Sequence, residues 1–198
     1  MRVLVTRDDL VPRVEALGHE AVLCELIRIE PLGDDPVDAS DYDWLVVTSR
    51  NGAHELGRRG VKANRIAAIG PATATALREH GIRVDLVPDT HTQEGLRAAL
   101  PPGRLLLAAA EGARRDVIEA AFVPLYRTVE LAVEAPNADV ALLMSGSAAR
   151  ALAAGGAHFP VVAIGPQTAA EARAAGLDVV AEAATHYVDG LVEALRSV

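Results

Sequence analysis

The side chains that could do chemistry gather in short polar tips. Each tip follows an apolar β-branched run, and nearly every one opens a helical pattern. In the first part of the chain the tips read Thr6-Arg7, Thr48-Ser49-Arg50-Asn51, Gly70-Pro71-Ala72-Thr73, Thr90-His91-Thr92-Gln93 and Ala110-Glu111-Gly112. In the second they read Ser145-Gly146-Ser147, Gly165-Pro166-Gln167-Thr168 and Thr185-His186-Tyr187. Helix starts offer free amide hydrogens and a partial positive charge, which suit anions. Glycine lets a backbone approach a ligand closely. Two readings stand at this point. The tips bind an oxygen-rich, negatively charged molecule, or their Ser, Thr, Gly and Pro residues are caps and turn formers.

Tyr126 stands apart. It is one of three tyrosines and lies in an alternating segment, VPLYRTVEL, that reads as a connecting strand. A tyrosine there could donate a proton or orient a leaving hydroxyl, although a phenol is a weak acid; a packing tyrosine is the other reading. No Walker loop, GxGxxG or GxSxG is present. His91 and His186 would need two domains to close on one ion to bind a metal, and no metal is expected. Asp8-Asp9, Asp34-Asp35, Asp41 and Asp43 read as loop and cap carboxylates, and Arg114-Arg115 as a solvated face or a carboxylate clamp.

The elements that must position these tips come in two copies. Residues 66–100 return as 161–195, with roughly 15 of about 35 aligned positions identical. The shared positions include Ile-Gly-Pro-x-Thr (69–73 and 164–168), Gly81/Gly176, Thr90/Thr185, His91/His186 and Gly95-Leu96/Gly190-Leu191. Around them, strands are expected at 2–6, 20–24, 43–48, 65–69, 84–87, 104–108, 139–144 and in the second repeat. Helices are expected between them, including 10–17, one from the Ser49 tip to about Leu56, and a short one over 113–121; 31–41 reads as loop. Strands alternating with helices predict parallel sheets covered on both faces.

The second copy lacks one strand, which only the N-terminal RVLVT can supply. Residues 1–25 should therefore pack with 131–198 as a discontinuous domain, and 31–122 should form an inserted one. The segments 26–30 and 123–130 would cross between them as a two-stranded linker. The expected fold is α/β: two similar open parallel-sheet, flavodoxin-like domains with a cleft between them, the tips facing it from the carboxyl ends of the strands.

Composition narrows the partners. With 27 acidic and 19 basic residues the net charge is −8, which argues against a nucleic-acid partner. The opening MRVLVTRDD does not read as a signal peptide and no apolar run approaches membrane length, so a soluble cytoplasmic protein without a membrane partner is expected, as a monomer. Cys24 is the only cysteine and excludes an internal disulfide; its apolar setting, AVLCEL, predicts a buried, inert thiol.

Taken in order, VLVTR, DWLVVTSRNG, IAAIGPATATALREHG with THTQEGL, LYRTV, LLMSGSA and VVAIGPQTAAEARAAGL with DGLVEAL give the chain a pattern that resembles the uroporphyrinogen-III synthase family over essentially its whole length. The resemblance implies two α/β domains joined by a two-stranded ladder. It also implies a cofactor-free enzyme of tetrapyrrole synthesis that converts hydroxymethylbilane, a linear tetrapyrrole, to uroporphyrinogen III with loss of water and inversion of ring D. Tyr126 matches the family's tyrosine, thought to assist departure of the ring A hydroxyl. Substrate contacts are implied at Thr73, Thr168, Ser49, Ser145 and Ser147. The neighbouring tip residues Arg7, Thr48, Arg50, Gly70, Thr92, Gly146, Gly165 and Tyr187 complete the expected binding set, with Arg114 and Arg115 as further partners for carboxylates. The chain departs from the family pattern in being short between Arg115 and Tyr126, in reading SGSA at one tip, and in carrying Tyr187 where the first repeat has Thr92. A noncatalytic tetrapyrrole- or polyanion-binding module of the same fold is the alternative.

Overall fold

The computed structural model describes residues 1–198. The chain forms two compact units, one of residues 1–28 with 129–198 and the other of residues 29–128.

The first unit is built on β1 (Arg2–Val5), β2 (Glu20–Leu23), β10 (Val140–Leu143), β11 (Val161–Ala163) and β12 (Val179–Glu182). They form one sheet in the order β12-β11-β10-β1-β2, and every pairing is parallel. A parallel sheet covered on both faces needs strands that are apolar throughout. RVLV and VALL supply this, and alternate residues divide between two cores. Leu4, Ala141 and Leu143 face one; Val3, Val5, Val140 and Leu142 face the other. Helices α5 (Gly146–Ala154) and α6 (Pro166–Ala174) cover the first face through Ala148, Leu152 and Ala172. A 3-10 turn (Asp8–Leu10), α1 (Val11–Glu15) and α7 (Val188–Leu195) cover the second through Leu10, Val14, Leu191 and Leu195. Each fully buried Leu or Val contributes roughly 1.5–3 kcal/mol.

The second unit repeats the plan. Strands β3 (Ile27–Pro31), β5 (Trp44–Val47), β7 (Ile66–Ala68), β8 (Leu105–Ala110) and β9 (Ala121–Glu130) form a sheet in the order β3-β9-β8-β5-β7. Pairings β5·β7, β5·β8 and β8·β9 are parallel. The edge strand β3 runs antiparallel to β9, as bonds from Leu131 N–H to the Leu26 carbonyl and from Leu32 N–H to the Leu125 carbonyl require. On one face Leu45, Val47, Leu106 and Ala108 meet Ala53 and Leu56 of α2 (Arg50–Arg59) and Ala74 and Leu77 of α3 (Pro71–Glu79). On the other, Trp44, Val46 and Leu107 meet Leu96 and Leu100 at α4 (Gln93–Ala99). No helix is long and apolar enough to cross a membrane.

Four local expectations need correction. The stretch 31–41 is not all loop: β4 (Val37–Ala39) pairs in parallel with β6 (Val61–Ala63), burying Val37 and Ala39 and turning Asp38 outward. Residues 84–87 make a single bridge, Ala67 to Leu86, rather than a strand. Helix α2 runs past Leu56 to Arg59. The segment 113–121 forms no helix. Charged residues at 114, 115, 116 and 119 leave few apolar side chains with which to dock so short a helix, and an undocked one does not offset its nucleation cost. Ile118 instead buries itself against the α4 side of the sheet, and β9 begins at Ala121.

Candidate functional site

The β5 strand ends at Val47, and Ser49 caps α2 from an extended backbone conformation. Its Oγ accepts the Gly52 N–H at 2.9 Å and lies 2.9 Å from the Tyr126 hydroxyl. A Cβ on Gly52 would stand 3.2 Å from that same Oγ, so the glycine keeps the cap uncrowded. Tyr126 enters from β9, opposite Ala110, the last residue of β8. All three elements meet at the carboxyl end of the parallel strands of this unit.

Tyr126 is 5% exposed. Burial pushes its phenol above the ordinary value, and hydrogen bonds with Ser49 and the Asn51 side chain act in the opposite direction. The phenol is thus protonated at neutral pH and sits where water cannot solvate its anion. Ser49 and Asn51 are placed to stabilise charge that develops on it, at the positive end of α2. This group can deliver a hydrogen bond or a proton to a leaving oxygen. Asn51 is absent from the binding set expected from sequence, although it sits in the same SRNG tip. Thr48 is half-buried, and Arg50 is exposed at the first position of α2.

The two GP tips are built alike. Gly70 and Gly165 cap α3 and α6, with Pro71 and Pro166 in the first turn. Thr73 and Thr168 are buried, at 4% and 7% exposure. The repeated histidines lie on the capping glycines: a Cβ on Gly70 would come 3.2 Å from His91, and one on Gly165 would come 2.9 Å from His186. The repeated Thr-His-x-x-x-Gly spacing has its own cause. A Cβ on Gly95 or Gly190 would fall 2.2 Å from the Thr90 or Thr185 carbonyl oxygen. The repeated glycines therefore fold each loop onto its own helix start, and packing accounts for most of the shared residues. Gly81 and Gly176 add turns at φ 73° and 85°, open only to glycine at little cost.

The remaining tips differ between the copies. Thr92 caps α4 by accepting the Gly95 N–H at 3.1 Å. Its counterpart Tyr187 is exposed and gives α7 no side-chain cap. Ser145 caps α5 through the Ala148 N–H at 3.2 Å, and its Oγ lies 3.1 Å from Ser147 Oγ, where Ser49 has Tyr126. A Cβ on Gly146 would press 2.7 Å from the Glu171 side chain, which would have to shift to make room.

The expected arginine clamps already hold partners within the chain. Arg7 pairs with Asp9 at 2.6 Å, Arg114 pairs with Glu94 and Asp116, and Arg115 lies over the Phe122 ring at 4.8 Å. Exposed pairs of this kind are worth about 0–1 kcal/mol, so a carboxylate ligand could displace them. Cys24 is half-buried rather than fully buried, and desolvation raises its thiol.

The comparisons with known proteins follow the same lines. A family model described as uroporphyrinogen-III synthase HemD matches residues 8–193. A protein of Archaeoglobus fulgidus, provisionally named a uroporphyrinogen-III synthase, is 28% identical over 228 aligned positions that cover 100% of this chain and 99% of the relative. A similarly named protein of Methanothermobacter thermautotrophicus is 31% identical over 104 residues, 46% of this chain and 41% of that relative, so this match spans less than half of the relative. In fold, the chain is similar to a crystal structure of a mutant uroporphyrinogen III synthase from the extremely thermophilic bacterium Thermus thermophilus. The TM-score is 0.67 at 16% identity, covering 100% of this chain and 98% of that one. With the family pattern running from Asp8 to Glu193 and the α/β fold agreeing, the chain belongs to the uroporphyrinogen-III synthase family.

Proposed function

We propose that the chain is a uroporphyrinogen-III synthase. It would cyclise hydroxymethylbilane to uroporphyrinogen III, releasing water and inverting ring D through a spiro intermediate. Family membership supports the reaction, and one observation carries the assignment of chemistry: the protonated, buried Tyr126 phenol held 2.9 Å from the capping Ser49. Tyr126 would hydrogen-bond the ring A hydroxyl as its C–O bond breaks, and the proton it supplies would leave with that oxygen as water. The electron-poor methylene carbon left on ring A is then attacked by ring D to give the spiro intermediate, and the proton lost as the rearranged pyrrole regains aromaticity would restore the Tyr126 phenol.

The substrate cyclises unaided to the wrong isomer, so the protein's main task is orientation. The binding set remains as first drawn: Arg7, Thr48, Ser49, Arg50, Gly70, Thr73, Thr92, Ser145, Gly146, Ser147, Gly165, Thr168 and Tyr187. The burial of Thr73 and Thr168 favours a role for backbone amides at those tips, with the threonines supporting the turn. The reading requires no cofactor, and a monomer in the cytoplasm is consistent with it.

The test is to give purified protein freshly made hydroxymethylbilane and separate the isomers. Formation of the III isomer above background is expected. The I isomer alone, at the uncatalysed rate, would refute the enzyme, and saturable tetrapyrrole binding without turnover would place the chain in the binding-module class.

A further inference from the structure

At the opposite end of the second unit, the amino ends of β8 and β9 frame a depression of about 610 Å³. Its apolar part comes from Leu100, Pro101, Leu105 and Ala120, and Tyr42 adds a ring and a hydroxyl. Arg97, Arg104 and Glu119 supply the charge. From Leu105 to Ala110, β8 spans five residue steps of about 3.3 Å, so this depression lies roughly 17 Å from the end that holds Tyr126.

The arginines are the unusual feature. Acidic residues outnumber basic ones 27 to 19, and most guanidinium groups find an ion pair, a carbonyl or a ring. Arg97 and Arg104 find none of these and both line this one depression; Arg78, on α3, is the other arginine without such a partner. Glu119 lines it too without bridging to either. The wall is held in place. Two prolines precede Gly103, a Cβ on Gly103 would stand 2.9 Å from Asp43, and Asp43 Oδ2 accepts the Arg104 N–H at 2.7 Å. Two cations and one anion line the apolar floor, and the Asp43 carboxylate behind Gly103 balances the remaining charge, so attraction for an anion comes from direct contact with the guanidinium forks rather than from a net field. The carbonyl end of α4, beside Leu100, adds partial negative charge, so an anion is held there only by the arginine pair.

We propose that this depression is a second binding site, separate from the tips, for a small carboxylate with an apolar body: one negative charge set between Arg97 and Arg104, and a ring or alicycle against Leu100, Leu105 and Ala120. Guanidinium forks suit carboxylates, and the volume lies within the range of small-molecule sites.

Benzoate is the probe, with benzamide as its uncharged match, titrated into the full chain and followed by amide NMR shifts. Saturable shifts are expected at Leu100, Gly103, Leu105, Ala120 and Ala121, with a Kd on the order of 1 mM. Benzamide should bind at least about tenfold more weakly, as should benzoate to the double variant R97Q/R104Q. E119Q should tighten benzoate, because it removes a like charge. Both arginine side chains are exposed, so the variants should fold, and an unchanged amide spectrum checks this. No saturable shift up to about 50 mM, equal binding of benzamide, shifts centred on other residues, or undiminished binding by R97Q/R104Q would each overturn the site.

Discussion

Replacing Ser49 by alanine tests the link between fold and chemistry most directly. The serine hydroxyl has two partners, the Gly52 N–H and the Tyr126 phenol, each at 2.9 Å. Loss of an N-cap costs about 1 kcal/mol. Loss of the bond to a buried phenol costs about 1 kcal/mol more, since Asn51 still serves that oxygen. S49A should therefore lose about 2 kcal/mol, and Y126F, which gives up the bonds to both Ser49 and Asn51, also about 2. If the two residues share one hydrogen bond, the double variant should lose about 3 rather than 4, a coupling of about 1 kcal/mol. Trp44, the only tryptophan, is buried in the same unit and reports its urea unfolding by fluorescence. The repeat supplies a control. S145A removes a cap of the same kind from the first unit, where the second partner is the half-buried Ser147, whose hydroxyl can turn to water, and should cost about 1 kcal/mol by far-UV circular dichroism. Strictly additive losses in S49A/Y126F, or equal losses in S49A and S145A, would refute the shared bond and with it the positioning of the phenol by α2.

Other outcomes follow from the same geometry. Y126F should slow formation of the III isomer by about 100-fold, the low end for a lost proton donor, while native-state structure is retained; an unchanged rate would remove Tyr126 from the reaction. Because burial raises the Tyr126 phenol, its contribution to stability is fully present below the unfolded tyrosine value near 10 and is lost as pH climbs through the higher folded value. The stability gap between wild type and Y126F should therefore stay constant below about pH 10 and shrink as pH climbs above it. G95A should destabilise by roughly 2 kcal/mol, because the new Cβ meets backbone, the Thr90 carbonyl, at 2.2 Å. G57A creates an equally short contact, but with the exposed ring of His80, which can swing away from His54. With alanine's helix propensity about 1 kcal/mol better, its net effect in thermal melts should be close to zero or stabilising. Alkylation of Cys24 by iodoacetamide should run about tenfold slower in the folded chain than in urea, since burial disfavours the thiolate.

The strands buried on both faces were legible as uninterrupted apolar runs, and the Pro71 and Pro166 helix starts as punctuation. Short elements were not. Val37–Ala39 alternates correctly, but three residues among aspartates and prolines make too small a signal. The alanines of 113–121 suggested a helix that has no stripe long enough to hold it. At the site, Tyr126 and Ser49 were legible as residue types in telling places, but their hydrogen bond was not, because 77 residues separate them. The repeated histidines and glycines showed the opposite limit. Their repetition was plain, yet only coordinates reveal that glycine is needed because a histidine ring or a threonine carbonyl occupies the space of its side chain.

The order of strands β12-β11-β10-β1-β2 also constrains the birth of the molecule. β1 is made before residues 29–128, yet one of its two strand neighbours, β10, is made after them. During synthesis, residues 29–128 can complete their own core while residues 1–28 wait with an unsatisfied strand edge and uncovered valines and leucines. That interval is when β1 is most open to pairing with the wrong partner, such as the growing edge of a neighbouring nascent chain. The short wait between residue 128 and the closing of β10 onto β1 is therefore where slow translation or a weakened β10 would cost yield before it cost stability.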